Sequence, residues 1–217
     1  MEAVIMAAGE GARMGDVTED LPKAFLDING KKIYQIQIEK LAPYCDTITI
    51  VLGYGFDTVS DPATKFSLER IDAETSIRFE VIDEWQAKEN AYTARCGLRE
   101  VDDDVLLVCG DVIFTQDVVK QTVDRFYDDF KPDGFSAVGV VEGIQDEMTA
   151  VRWDEDRIVT DYGAIKGHQE IGMFALNSDD LSEARTILEN NPTDWFPIIF
   201  QELPAKPVAV SEKSGVK

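Results

Sequence analysis

Ala3-Val-Ile5 runs into Met6-Ala-Ala-Gly-Glu-Gly-Ala-Arg-Met14, and Leu21-Pro-Lys23 closes the segment. The apolar residues read as a buried strand. Gly9 and Gly11 then leave the backbone free to turn tightly and expose its N–H groups to an anion. Arg13 adds a forked permanent cation, and Lys23 a mobile point charge from the far side of the loop. Ala7, Ala8, Gly9, Glu10 and Gly11 form a candidate nucleotide-binding loop, with Arg13 and Lys23 as candidate catalytic cations. The segment reads as a cradle for several phosphates, so a nucleoside triphosphate is the expected ligand.

Two other phosphate loops do not fit. A Walker A loop needs Gly-Lys followed by Ser or Thr, and Gly11 is followed by Ala12-Arg13. The dinucleotide fingerprint needs a third glycine opening a helix, where Met14 stands.

Further along the chain, Ile33, Ile36 and Leu41 have helical spacing. Thr47 to Leu52 and Ile77 to Ile82 read as strands, and Asn90 to Leu98 as a helix. Val105-Leu-Leu-Val108 reads as a fully apolar strand that delivers Gly110-Asp111 at its end. After Gly134, strands follow closely at Phe135–Val141, Thr149–Trp153, Arg157–Thr160 and Glu170–Ala175. Ser178 to Asn190 reads as a helix capped by Ser178 or Asp179, and Thr193 to Leu203 as another. His168, the one histidine, reads as a surface loop residue. The pattern predicts one α/β domain over residues 1–217: a Rossmann-like three-layer sandwich, mostly parallel, with an antiparallel extension.

The chain carries 42 Asp plus Glu against 21 Lys plus Arg, a net charge of −21. Such charge repels nucleic acid and anionic membranes, so neither is an expected partner. Self-repulsion of that size calls for screening by concentrated salt, which points to a salt-adapted cell. No apolar run is long enough to span a membrane, and the first residues enter the first strand directly. A cytoplasmic location is therefore expected. Cys45, Cys96 and Cys109 lack metal-type spacing and read as buried small hydrophobes.

Taken together, Ala7-Ala8-Gly9, Gly11, Arg13-Met14, Thr18, Pro22-Lys23, the Ile28–Ile33 turn, Asn90-Ala-Tyr-Thr-Ala94 and Leu107-Val-Cys-Gly-Asp-Val112 resemble the nucleotidyltransferase superfamily of sugar-phosphate and alcohol-phosphate pyrophosphorylases. Asn90, Tyr92 and Thr93 look most like the choline-phosphate cytidylyltransferase branch, which has Asn-x-Tyr-Ser-Leu there. The resemblance implies transfer of a nucleoside monophosphate from an NTP, CTP favoured, to a phosphorylated alcohol or sugar, with release of pyrophosphate. It implies that Asn90 and Thr93 lie near base and ribose, and that Asp111 holds Mg²⁺, which suits a hard carboxylate at a strand end. The competing readings are a turn aspartate capping the next helix and an asparagine helix cap.

The similar enzymes carry a second metal-binding aspartate in a Glu-Ile-Asp-type segment on a late strand. Here Pro207 to Lys217 ends about where that segment would begin, so the resemblance implies that the strand is missing or truncated; Asp161 and Asp194 are candidate substitutes. A hexose-1-phosphate uridylyl- or thymidylyltransferase, a molybdenum-cofactor guanylyltransferase and a non-catalytic nucleotide-binding relative are the rival readings.

Overall fold

The structure is a computed structural model that describes residues 1–11, 22–55, 74–145 and 149–210. Three strands with almost no polar residues build its centre: β1 (Glu2–Ala7), β4 (Thr47–Leu52) and β6 (Val105–Cys109). Parallel strands covered on both faces must be apolar on both, which explains why these runs do not alternate. β1 pairs in parallel with β4 on one side and β6 on the other, and β5 (Ser76–Val81) extends the sheet beyond β4. Between β1 and β4, a small hairpin of β2 (Asp27–Ile28) and β3 (Lys31–Lys32) leads into helix α1 (Ile33–Leu41). Asn29 and Gly30 at its tip both have positive φ, 55° and 86°, as a tight two-residue hairpin requires.

β10 (Gly167–Leu176) pairs antiparallel with β6 and carries the extension. It also pairs antiparallel with β7 (Ser136–Gln145) and β8 (Ala150–Trp153); β8 pairs with β9 (Val159–Gly163), and β11 (Ala205–Ala209) runs parallel to β7. Among the described residues this makes a nine-stranded sheet.

Helices cover both faces. Ala3, Ile5, Ile48, Ile50, Leu106 and Val108 pack under α1 and α3 (Gln116–Arg125), while Val4, Met6, Val51, Val105 and Leu107 pack under α2 (Asn90–Gly97), α4 (Leu181–Asn190) and α5 (Ile199–Glu202). The expected three-layer α/β sandwich is thus observed, with its antiparallel extension. Among the described residues no helix is long and apolar enough to cross a membrane.

Some local expectations need correction. α4 is preceded by a 3₁₀ turn, Ser178–Asp180, and the capping side chain is Asn177, whose Oδ1 accepts from the Asp179 N–H at 3.1 Å. The helix expected over Thr193–Leu203 is confined to a turn at Phe196–Ile198 and to α5, because the residues before it bond to the start of α2. His168 lies inside β10 rather than in a loop, its ring stacked on Trp153 at 4.0 Å between centroids. β9 starts later than expected, because the Asp154 carboxylate accepts from the N–H groups of Asp156 and Ile158 and holds residues 154–158 in a turn.

Candidate active site

The order β10-β6-β1-β4-β5 means that the chain leaves β1 towards β4 and later returns to β1's other side as β6. Loops that leave such neighbouring strand ends diverge and open a crevice. The crevice is a cleft of about 410 Å³, lined by Met6 to Gly11, Lys23, Ala24, Trp85, Gln86, Lys88 to Asn90, Thr93 and Cys109 to Asp111. All the candidate site residues that are described, namely Ala7, Ala8, Gly9, Glu10, Gly11, Lys23, Asn90, Thr93 and Asp111, line this one cleft. Arg13, with Met14 and Thr18, lies outside the described residues.

Two close approaches shape it. The Gly110 N–H donates to the Met6 carbonyl at 3.0 Å, and a Cβ at Gly110 would stand 2.6 Å from that oxygen. Only glycine lets the ends of β1 and β6 touch, and the contact sets Asp111 beside the Ala7–Gly11 loop. Gly11 has φ +70°, and a Cβ there would lie 2.6 Å from Lys23 Cε. The lysine stem therefore lies against the bare backbone of the loop. Gly9 has nothing within 4 Å of where its Cβ would be, so its missing side chain leaves open space in the cleft.

Lys23 opens a 3₁₀ turn, Lys23–Phe25, that is anchored by Phe25 packing on Tyr34 of α1 with 4.6 Å between ring centroids. Its Nζ lies 2.9 Å from Asp111 Oδ2. Asp111 does not cap the following helix; Thr115 is the N-cap residue of α3. Asn90 is not a cap either. Glu89 occupies that position, and the Asn90 Oδ1 accepts from the Phe196 N–H at 2.7 Å. The Ala91 N–H donates to the Asp194 carbonyl at 3.2 Å, so residues 194–196 are fastened to the start of α2.

Glu170 of β10 was not singled out from sequence. Burial raises its carboxyl towards about 7, against the hydrogen bond from the Gly172 N–H; the Asp111 charge raises it further, and a hydrogen bond with Tyr162 opposes. The Gly172 N–H to Glu170 Oε2 distance is 2.6 Å. The signal was a lone acid in the otherwise apolar run Glu170-Ile-Gly-Met-Phe-Ala175. Burial likewise pushes the Cys109 thiol well up, with Glu170 and Asp111 adding to it and Lys23 opposing, which favours the thiol over the thiolate. Cys45 and Cys96 are buried, as expected, whereas Cys109 at the end of β6 is only partly buried because it borders the cleft. Asp161 is an exposed residue of β9, opposite Arg152, and Asp194 lines a neighbouring cavity with Trp195 and Tyr162.

Among the described residues no group of three or more candidate metal ligands occurs. A half-exposed carboxylate in a polar cleft nevertheless suits Mg²⁺, which keeps most of its waters and takes one or two protein carboxylates alongside phosphate oxygens. Asp111 fits that requirement.

A doubly wound α/β domain with a glycine loop, a lysine and an aspartate around one strand-end cleft defines a nucleotidyltransferase-type domain. The chain belongs to the MobA-like NTP transferase domain family, which it matches over residues 3–171. It is 29% identical to the bifunctional protein GlmU of Methanocaldococcus jannaschii over 123 residues, 54% of this chain and 26% of that protein. It is 26% identical over 175 residues to the UTP–glucose-1-phosphate uridylyltransferase AglF of Haloferax volcanii, covering 76% of this chain and 63% of the relative. The chain therefore spans about a quarter of the first of these proteins and somewhat under two thirds of the second. The fold is shared with the inositol-1-phosphate CTP transferase of T. maritima, at TM-score 0.76 and 17% identity over 97% of this chain and 85% of that one.

Proposed function

We propose that this chain is a Mg²⁺-dependent nucleotidyltransferase that moves a nucleoside monophosphate from an NTP, CTP favoured, to a phosphorylated alcohol or sugar, releasing pyrophosphate. The observation that carries the reading is the Lys23–Asp111 pair, 2.9 Å apart at the mouth of a cleft whose other wall is the Ala7–Gly11 loop. A cation and a carboxylate in contact beside exposed backbone are suited to managing a polyphosphate.

In this reading the N–H groups from Gly9 to Gly11 bind the β- and γ-phosphates, with the Arg13 side chain as a further donor. Lys23 neutralises charge at the α-phosphate as the acceptor's phosphate oxygen attacks it in line. No general base is needed, because the attacking phosphate is already anionic. Asn90 and Thr93 stand at the start of α2 to meet base and ribose. Asp111 would hold the Mg²⁺, which would supply charge neutralisation to the phosphate oxygens. Catalysis is then positioning and electrostatics without a covalent enzyme intermediate. The net charge of −21 supports a protein of a salt-adapted cell.

A hexose-1-phosphate uridylyltransferase is the second reading. It is favoured by the Haloferax volcanii relative, whose match covers 76% of this chain. Both readings are tested by pyrophosphate release in concentrated KCl with Mg²⁺, crossing CTP, UTP, dTTP, GTP and ATP with phosphocholine and several sugar phosphates. Release with CTP and an alcohol phosphate supports the first reading, and release with UTP or dTTP and a hexose 1-phosphate the second. Silence across the panel, with a nucleotide still raising the melting temperature, leaves a binding protein instead.

A further inference from the structure

Gln37 lies on the buried side of α1, with 1% of its surface exposed. Its Nε2 donates to two carbonyls in another part of the chain, Cys109 O and Val112 O, both at 2.8 Å. These are the carbonyls on either side of Gly110-Asp111. Its Oε1 is buried and has no hydrogen-bond partner among the described residues. Rotating the amide would point an oxygen at two carbonyls, so the orientation is set by the acceptors.

An interior position next to a strand end is ordinarily filled by an apolar side chain, and this one leaves a carbonyl group unsatisfied. What it gains is a two-pronged donor that ties both ends of a four-residue turn to one rigid helix. The same helix fixes the other partner of the cleft. The Ile33 N–H, at the start of α1, donates to the Leu26 carbonyl at 3.2 Å, and Tyr34 packs on Phe25 of the turn that begins with Lys23. α1 thus brackets the site, holding Lys23 from its first turn and Asp111 from its second.

We propose that Gln37 is a positioning residue that sets where Asp111 stands relative to Lys23, and so sets metal affinity and turnover. The proposal rests on the nucleotidyltransferase reading, in which Asp111 holds the metal. In Gln37→Leu, which keeps volume and removes both donors, the turn loses its tie to α1. The expected result is a fall in kcat of about tenfold and a rise of fivefold or more in the Mg²⁺ concentration for half-maximal rate, with KM for the nucleotide within twofold. Thr122→Ala is the control: it removes another buried hydrogen bond, Thr122 Oγ1 to Val118 O within α3, which does not involve the turn. It is expected to lower the melting temperature without moving either kinetic value. If Gln37→Leu does not fold, Gln37→Glu retains one donor when protonated and should show the same changes, smaller at low pH than at high pH.

Mn²⁺ binding in the presence of nucleotide, followed by electron paramagnetic resonance, tests the proposal without turnover. Weaker binding in Gln37→Leu than in Thr122→Ala supports it. Equal Mn²⁺ affinity and unchanged kcat, with a comparable loss of melting temperature in the two variants, would overturn it and leave Gln37 a residue of the core. A wild-type protein that releases no pyrophosphate and binds no Mn²⁺ with nucleotide overturns the functional reading instead, whereas an active wild type whose Gln37→Leu variant keeps its kcat and Mn²⁺ affinity overturns this proposal alone.

Discussion

Lys23 Nζ sits 2.9 Å from Asp111 Oδ2, joining two cleft residues that are 88 positions apart in the chain. The Lys23 side chain is 20% exposed and that of Asp111 47%, so the pair stands in partly solvated surroundings. Such pairs add at most about 1 kcal/mol to stability. Lys23→Ala and Asp111→Asn should therefore melt close to the wild type. Each should nonetheless lose about 3 kcal/mol of transition-state stabilisation, roughly a hundredfold in kcat, as for other preorganised electrostatic contacts. Steady-state pyrophosphate release beside thermal melts checks this. A large drop in melting temperature with kcat intact would make the pair structural.

The two loop glycines should respond differently. Gly11→Ala puts a Cβ at φ +70° and against the Lys23 stem, so it should cost about 1–2 kcal/mol of stability and displace the lysine. Gly9→Ala meets open space, so it should keep its stability and instead weaken nucleotide binding by filling room the phosphates use. Melting curves and nucleotide titrations on both variants separate the effects. Wild-type nucleotide affinity in Gly9→Ala would mean that the open space beside Gly9 is not where the triphosphate lies.

What could be read from sequence was whatever depends on near neighbours in the chain. The apolar runs of β1, β4 and β6 announce a buried parallel sheet. The described candidate residues converge because they stand at strand ends, in the loops just after them or in the first turn of a helix, where such folds place their sites. The misses depend on contacts that are distant in sequence. α3 was passed over because Val118, Val119 and Val123, β-branched residues of modest helix propensity, carry its buried face. For Asn90 the competing reading is a helix cap, and the fold instead pairs its Oδ1 with the Phe196 N–H, 106 positions away. Gln37 looks like one of several polar residues on a helix, and Glu170 like a single acid heading an apolar stretch. Only the fold shows that one holds the Asp111 turn and the other stands within electrostatic reach of Asp111.

Salt should stabilise this chain through screening. A net charge of −21 on 217 residues repels itself most when compact. At 0.1 M ionic strength charges interact over about 10 Å, and at 1 M over about 3 Å. The melting temperature should climb steadily between those limits in KCl, a salt with little effect of its own on apolar burial. Equal gains in KCl and in an isosmolar sugar would assign the effect to solvent exclusion rather than to charge.

Glu170 should give the chain an unusual pH dependence. Its carboxyl is raised from 4.5 to about 7, chiefly by burial. The folded state then keeps a proton that the unfolded state gives up, so this group's contribution to stability is full below about 4.5 and falls as pH rises through about 7, where it levels off. A shift of that size corresponds to about 3 kcal/mol over the window. Glu170→Gln removes the charge while leaving an oxygen for the Gly172 N–H. Urea unfolding at pH 5, 6, 7 and 8 should show the variant gaining on the wild type as pH rises, because only the wild type must bury a carboxylate there. Parallel stability profiles would mean that Glu170 is solvated enough in the folded chain to ionise normally.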